Sequence, residues 1–188
     1  IIKGVEASID GRITRNWDLG VSASYTKARF DNVLVPCNDF AGTGIPNQTG
    51  APKITGTGNV SFCRTSGPLA EAPDFSLTAN SEVRAEVGSM TAYLRGLFTY
   101  RPRFTSERVA YTYKSREQLN LFLGVRSESS GLDVNLFVRN VFNQKRITDI
   151  SGGNAIRNTS AGLPYDSGYR GVNVTAPREF GLTAAFKF

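Results

Sequence analysis

The sequence predicts an all-β protein, an antiparallel up-and-down β-barrel whose strands cross a membrane. Apolar residues occupy every second position in about seven segments, each roughly 10 residues long, which is the length that a tilted membrane strand needs. Short and long connections between these segments alternate strictly. The last segment, Pro177 to Phe188, stops on an aromatic residue. Together these features are typical of barrels with tight turns at one end and extended loops at the other.

The terminal segment has the clearest period of two. Its apolar positions are Phe180, Leu182, Ala184, Phe186 and Phe188, and the positions between them are Gly181, Thr183, Ala185 and Lys187. This alternation predicts a strand with one face in an apolar medium. We expect it to be the closing strand of a barrel, paired with the first strand and facing lipid on one side.

The same alternation locates the other predicted strands along the chain. It runs through residues 4–12, 17–26, 75–86, 92–101, 118–126 and 132–139. Short turns are expected around 11–16, 87–89 and 127–131, and long loops at about 31–72, 102–115 and 142–176, where Pro, Gly, Asn and Thr end the periodicity. Loops of this length without regular structure are unusual in a compact soluble domain.

The two faces of the predicted strands differ in polarity. One face is almost entirely Leu, Val, Ala and Phe, while the other carries Glu82, Arg84, Glu86, Arg95, Arg101, Asn120, Arg126, Asp133, Asn135 and Arg139. In a membrane the charged face has to line a wet or protein-filled lumen, because a lone Arg at the bilayer midplane costs ~2–4 kcal/mol. The alternative is a soluble sheet with one solvated face.

Composition narrows the function classes. The 188 residues include no His, so imidazole zinc sites and His-based acid–base catalysis are excluded. The net charge of +6 comes from scattered Lys and Arg, which argues against nucleic-acid binding. No apolar run approaches the ~18–20 residues of a membrane helix. We find neither a nucleophile elbow nor a Walker loop, and we predict no catalytic residue, no metal and no cofactor.

Two segments near the end of the chain resemble TonB-dependent outer-membrane receptors. Leu136–Asp149 reads LFVRNVFNQKRITD, and about thirty residues later the chain reads PREFGLTAAFKF. Positions that match the penultimate-strand motif of that family are Asn140, Phe142, Asn143, Lys145 and Arg146, and positions that match its terminal strand are Pro177, Arg178, Phe180, Gly181 and Phe188. Ile147 stands where the family usually has an aromatic residue, and Gln144 changes the spacing.

The resemblance implies a much larger protein than this chain. Family members have a 22-stranded barrel with a plug domain inside it, and a TonB box that couples transport to the inner membrane. The chain would then be the C-terminal part of such a barrel, without the plug, in the outer membrane of a Gram-negative bacterium. Seven strands leave two open edges, which hydrocarbon does not tolerate, so we expect a fragment. A complete eight-stranded barrel would require one more strand, within 31–72.

The resemblance also implies a function, the uptake of a scarce large solute. Ferric siderophores, with iron as the substrate metal, are the commonest cargo of the family, and cobalamin and oligosaccharides are others. The implied partners are TonB (through the absent plug), outer-membrane lipid and the barrel-insertion machinery. Aromatic and basic loop residues are the candidate ligand contacts: Arg103, Arg108, Tyr111, Tyr113, Tyr165, Tyr169 and Arg170. Phe180, Leu182, Phe186 and Phe188 would form the signal that the insertion machinery reads.

Cys37 and Cys63 are the only cysteines, and both lie in the first long loop. If that loop is outside the cell, the two thiols are in an oxidising space and should pair. Closing ~27 residues in this way is worth about 3 kcal/mol in the chain-entropy model. Two unpaired thiols are the alternative.

Three other functions remain open at this point. A passive porin or small barrel would let solutes diffuse without TonB. An outer-membrane hydrolase is an enzyme alternative that the residues support poorly. A soluble β-domain used for adhesion would need no detergent.

Overall fold

A computed structural model describes residues 1–36, 62–69, 71–106, 109–154, 157–160, 163–166 and 169–187. These residues form strands and turns, with no helix among them, and so none of the described segments is a helix long and apolar enough to cross a membrane. The chain divides into two compact units. The first comprises residues 1–4 and 26–71, and the second comprises residues 5–25 and 72–188.

Seven long strands form one sheet. They are β1 (Ile2–Thr14), β2 (Trp17–Ala28), β5 (Phe75–Val87), β6 (Met90–Arg101), β9 (Arg116–Ser127), β10 (Leu132–Arg139) and β15 (Glu179–Phe186). Their order in the sheet follows their order in the chain, and the pairs from β2 to β15 are antiparallel. The all-β prediction is therefore confirmed, together with the antiparallel up-and-down order of seven strands.

Short turns join the strands at one end of the sheet. Arg15–Asn16 joins β1 to β2, Gly88–Ser89 joins β5 to β6, and residues 128–131 join β9 to β10. Gly88 has a φ of 63° and Gly131 a φ of 65°, a backbone conformation that glycine adopts without steric cost. The first turn is shorter than the predicted 11–16, because β1 continues through Gly11 as regular strand.

The three long connections all lie at the other end of the sheet, and they contain strands of their own. These strands are β3 (Val33–Pro36), β4 (Phe62–Thr65), β7 (Phe104–Ser106), β8 (Tyr111–Tyr113), β11 (Ile147–Asn154), β12 (Arg157–Ser160), β13 (Leu163–Asp166) and β14 (Arg170–Val174). They form four separate antiparallel pairs, β3–β4, β7–β8, β11–β14 and β12–β13. Most are three to five residues long, which is too short to produce a recognisable period of two.

The pair β3–β4 belongs to the first unit and does not extend the seven-stranded sheet. Within this unit the pair is tied to the end of β2, where Arg29 bridges to Pro68 and the Leu69 amide donates to the Ala28 carbonyl at 2.9 Å. The described part of residues 31–72 therefore adds no eighth strand to the large sheet.

Unbroken register aligns one apolar row across six strands of the sheet. Each residue of the row is the cross-strand partner of the next: Trp17, Val83, Leu94, Leu123, Leu136 and Leu182. Partners in an antiparallel sheet project from the same face, so these six side chains form a single apolar stripe. All six are exposed, from 37% for Trp17 to 63% for Leu182.

The next row in the register lies on the opposite face. It begins with Asp18, Glu82 and Arg95, and it continues through Phe122 and Phe137. The segregation of charged and apolar faces that the sequence predicts is thus present in the structure. Phe122 and Phe137 are exceptions on the polar face, with their ring centroids 6.3 Å apart.

Glycines on the polar face allow aromatic rings to lie across neighbouring strands. A Cβ at Gly124 would stand 2.6 Å from Cζ of Tyr93 and 2.7 Å from Cβ of Asn135. A Cβ at Gly181 would overlap Cζ of Phe137. An aromatic side chain that covers a cross-strand glycine is a known device for fixing strand pairing.

We predict that Gly124→Ala lowers the free energy of unfolding by about 1–3 kcal/mol, the usual cost of overpacking. The new methyl group would displace the Tyr93 ring and press on Asn135. Gly11→Ala is the control, because a Cβ there meets no atom within 4 Å. Urea unfolding of both variants checks the prediction, and equal stabilities would contradict it.

Candidate functional site: the polar face and the long-connection end

The polar face is built around the carboxylate of Glu82. Arg95 Nη2 lies 2.6 Å from one of its oxygens, and Arg126 Nη2 lies 3.0 Å from the other. Arg84 Nε is more distant, at 3.9 Å. The Glu82 side chain is only 14% exposed, so these arginines are the main compensation for its partial desolvation.

A second group of charges continues the network toward β1. Asp18 is bonded through one oxygen to Arg84 and through the other to Arg12, the latter at 3.3 Å. Strands β1, β2, β5, β6 and β9 all contribute a charged group to this network. Such a network fixes the register of five strands through side chains as well as backbone.

Tyr93 lies at the centre of the polar face and is 4% exposed. Its hydroxyl donates a hydrogen bond to Asp133 Oδ1 at 2.8 Å. The guanidinium carbons of Arg95 and Arg126 lie 5.5 Å and 5.3 Å from its ring centroid, within cation–π range. The described part of the chain has no buried side-chain polar atom without a partner.

An aromatic cluster marks the connection between β6 and β9. Tyr113 stacks on Phe104 with ring centroids 4.7 Å apart, and Tyr111 meets Tyr113 edge-on at 5.0 Å. Val109 and Ile150 complete this small core, which joins the β7–β8 pair to β11. The cluster therefore packs the described part of this connection against β11.

A cavity of about 750 Å³ opens beside this connection. Its lining residues are Tyr100, Pro102, Arg103, Thr112, Lys114, Ser115 and Arg146. Arg146 is held in place, because its Nε donates to the Ser115 carbonyl at 3.0 Å. Arg103 and Lys114 are exposed. The described lining of the cavity therefore presents three cationic groups and no carboxylate.

The predicted ligand contacts are distributed over several places. Arg103 lines the cavity, whereas Tyr111 and Tyr113 belong to the aromatic cluster, where Tyr113 is buried. Tyr169 and Arg170 are exposed at the start of β14. Tyr165 lies on β13, and Arg108 lies outside the described residues. Among these residues, Tyr111 and Tyr113 are in direct contact, and a ligand role for each of the seven residues stays a prediction.

Lys114 and Arg146 line the same cavity as Arg103 and are not among the predicted contacts. Arg146 belongs to the family-like motif, and Lys114 lies in the predicted loop 102–115. The β7–β8 pair places Lys114 near Arg103, and its three-residue strands leave too little periodicity to be recognised in the sequence.

Asn140, in the same family-like motif, closes the connection after β10 and is 1% exposed. Its side-chain Nδ2 donates to the backbone carbonyls of Gln144 at 3.1 Å and Ala176 at 2.8 Å, and its Oδ1 accepts from the backbone N–H of Gln144 at 3.0 Å. The backbone N–H of Asn140 donates to Asn120 Oδ1 at 2.9 Å. The motif residue is therefore a structural clamp that joins β9, β10 and the approach to β15.

The predicted assembly signal lies on the last strand of the sheet. Phe180, Leu182 and Phe186 are 71%, 63% and 63% exposed, and Phe188 lies outside the described residues. Cys63 is fully buried on β4. Cys37 lies outside the described residues, so the predicted pairing of the two cysteines stays a prediction.

Comparison with protein families, with curated proteins and with solved structures gave no significant match. The described residues also contain no group of three or more Cys, Asp or Glu side chains arranged to hold a metal ion. The candidate site is therefore defined by its own geometry: a bonded polar face, an exposed apolar face, and a basic cavity at the end of the sheet where the long connections lie.

We predict that Glu82→Gln lowers the free energy of unfolding by roughly 1–3 kcal/mol, because it leaves Arg95 and Arg126 without their shared counter-charge. Glu179→Gln is the matched control. Its pair with Arg139 is more than half exposed on both sides, and such pairs contribute about 0–1 kcal/mol. Urea unfolding at low and high salt measures both losses, and a loss for Glu82→Gln no larger than the control's would contradict the network.

Asn140→Ala should lower the free energy of unfolding by about 2 kcal/mol or more, because it leaves buried backbone groups without partners. Asn143→Ala controls for backbone conformation, since both asparagines have a φ of 49°. Asn143 contributes only an exposed contact, accepting from the Arg178 amide at 3.2 Å. We expect Asn143→Ala to lower the free energy of unfolding by less than half as much. Equal losses would mean that the positive φ alone, and not the hydrogen bonds of Asn140, explains the effect.

Proposed function

We propose that the seven-stranded sheet is a sector of the wall of an outer-membrane β-barrel. The observation that carries this proposal is the exposure of the continuous apolar row. The six side chains of the row are 37–63% exposed, while on the charged face Glu82 and Tyr93 are only 14% and 4% exposed beside the half-exposed Arg95. In water an uncovered apolar stripe of this extent is a liability, but in a membrane the same stripe contacts lipid while the charged face lines the interior.

The connections support the same proposal. Short turns at one end and long, structured connections at the other are typical of outer-membrane barrels. Phe75 and Tyr100 project from the apolar side of the sheet at the long-connection end, with ring centroids 6.2 Å apart, and Tyr25 is the cross-strand partner of Phe75. Aromatic residues at this level would form the interfacial girdle of such a barrel.

We further propose that the whole protein is a TonB-dependent receptor that takes up a scarce large solute, with a ferric siderophore as the first candidate cargo. The support is the motif resemblance around Asn140 and in the last strand, together with the structured long connections that could present a binding surface. The plug domain, the TonB partner and the barrel-insertion machinery belong to this proposal.

Uptake of iron-55 by cells that carry or lack the full-length protein tests the transport proposal. Cells with the protein should accumulate iron from a ferric siderophore only when TonB is present and the inner membrane is energised. Loss of uptake on deletion of TonB is the expected result. Uptake that continues without TonB would contradict active transport and would indicate a passive porin.

For the lipid-facing role, we predict that Leu94→Arg lowers the outer-membrane yield of the protein, since it costs ~2–4 kcal/mol at mid-membrane depth. Leu97→Arg is the matched control, because Leu97 lies on the same strand and is 38% exposed but projects from the polar face, opposite Asn80 and Asn120. The control should insert normally. Immunoblots of isolated outer membranes compare the two, and equal yields would contradict the assignment of faces.

A further inference from the structure

The cavity beside the β7–β8 pair lies at the margin of the apolar face. Tyr100, which lines it, has Leu77 and Glu117 as cross-strand partners and has the same strand parity as Leu94 on β6. Its side chain therefore projects from the apolar side of the sheet. The cavity begins where this apolar side ends, and Arg103 and Lys114 extend beyond it on the connection.

The charge of the cavity is strongly one-sided. Arg103, Lys114 and Arg146 line it, and none of the described lining residues is acidic. Glu117, the cross-strand partner of Tyr100, is the nearby acidic residue on the same face. The Gln144 side chain donates to its carboxylate and accepts from its backbone N–H. Glu117 attracts Arg146 electrostatically but does not line the cavity, and no carboxylate among the described residues forms an ion pair with Arg103 or Lys114.

A second basic cavity lies in the other unit, and it is a weaker candidate. It is smaller, about 400 Å³, and Asp31 lines it together with Lys3, Lys27 and Arg29. An acidic group in the lining partly cancels the attraction for an anion. The cavity lined by Arg103, Lys114 and Arg146 is therefore the better candidate for an anion site, by its charges and by its volume.

We propose that this cavity binds the phosphate groups of a lipid headgroup in the membrane leaflet at the long-connection end of the sheet. The proposal rests on the proposed function, because the apolar face must contact lipid. Guanidinium and ammonium groups are the side chains that recognise phosphate. Phe75 and Tyr100 would lie at the boundary between the lipid headgroups and the hydrocarbon, and the three cations would then lie at the depth of the phosphates. A site for a free anion would not need to adjoin the apolar face.

The test uses the full-length protein reconstituted in nanodiscs of neutral phosphatidylcholine, titrated with diphosphorylated lipid A. The double variant Arg103→Gln with Lys114→Gln removes two cations and keeps Arg146, whose contact with Ser115 is structural. Each basic residue near an anionic lipid surface contributes enough that losing two should weaken binding about 30-fold. The control is Arg15→Gln with Arg101→Gln, which removes one cation at the short-turn end and one on the polar face.

A heat-dependent shift in gel mobility is checked first for every variant, since a folded barrel shows it and an unfolded chain does not. Its absence in the parent protein would overturn the proposed function, whereas its presence with a failed titration would overturn only the phosphate site. The expected result is tight lipid A binding, about 30-fold weaker in the double variant and unchanged in the control. Equal binding by all variants, equal binding of dephosphorylated lipid A, or full competition by inorganic phosphate would each overturn the site.

Discussion

The rest of the structure depends on the register between strands. Because side chains alternate between faces, a slip by one residue in any strand would move its whole set of apolar side chains to the charged side. The row from Trp17 to Leu182 runs across six strands without a shift. Glu82 with its arginines, and Tyr93 over Gly124, hold that register from the polar side.

The exposed apolar row connects the fold to the proposed function. A soluble sheet gains stability by covering its leucines, since apolar burial is worth about 25 cal/mol per Å². Here the leucines of the row are exposed, while Glu82 and Tyr93 on the other face are paired and largely buried. Under the proposed function, a lipid bilayer would supply the missing apolar environment and would account for the cations and aromatic rings at one margin of the apolar face. The transport proposal adds a transported solute and an energy source to this proposed position in the membrane.

The long strands and their two faces could be predicted from the sequence because their period of two extends over eight to thirteen residues. The pairs in the long connections could not, since three or four residues carry no period. The placement of Tyr113 in a packed cluster and the clamp formed by Asn140 depend on contacts between residues far apart in the chain. Gly11 was expected in a turn because glycine often marks one, but here it continues β1.

The most direct test of the account is the environment of the apolar face in lipid. Spin labels at Leu94→Cys and Leu97→Cys, each in the full-length protein in lipid vesicles, report accessibility to oxygen and to a water-soluble nickel complex. The account predicts high oxygen and low nickel accessibility at position 94, with the reverse at position 97. High nickel accessibility at both positions would mean that the apolar face contacts water, and it would contradict the membrane-wall assignment.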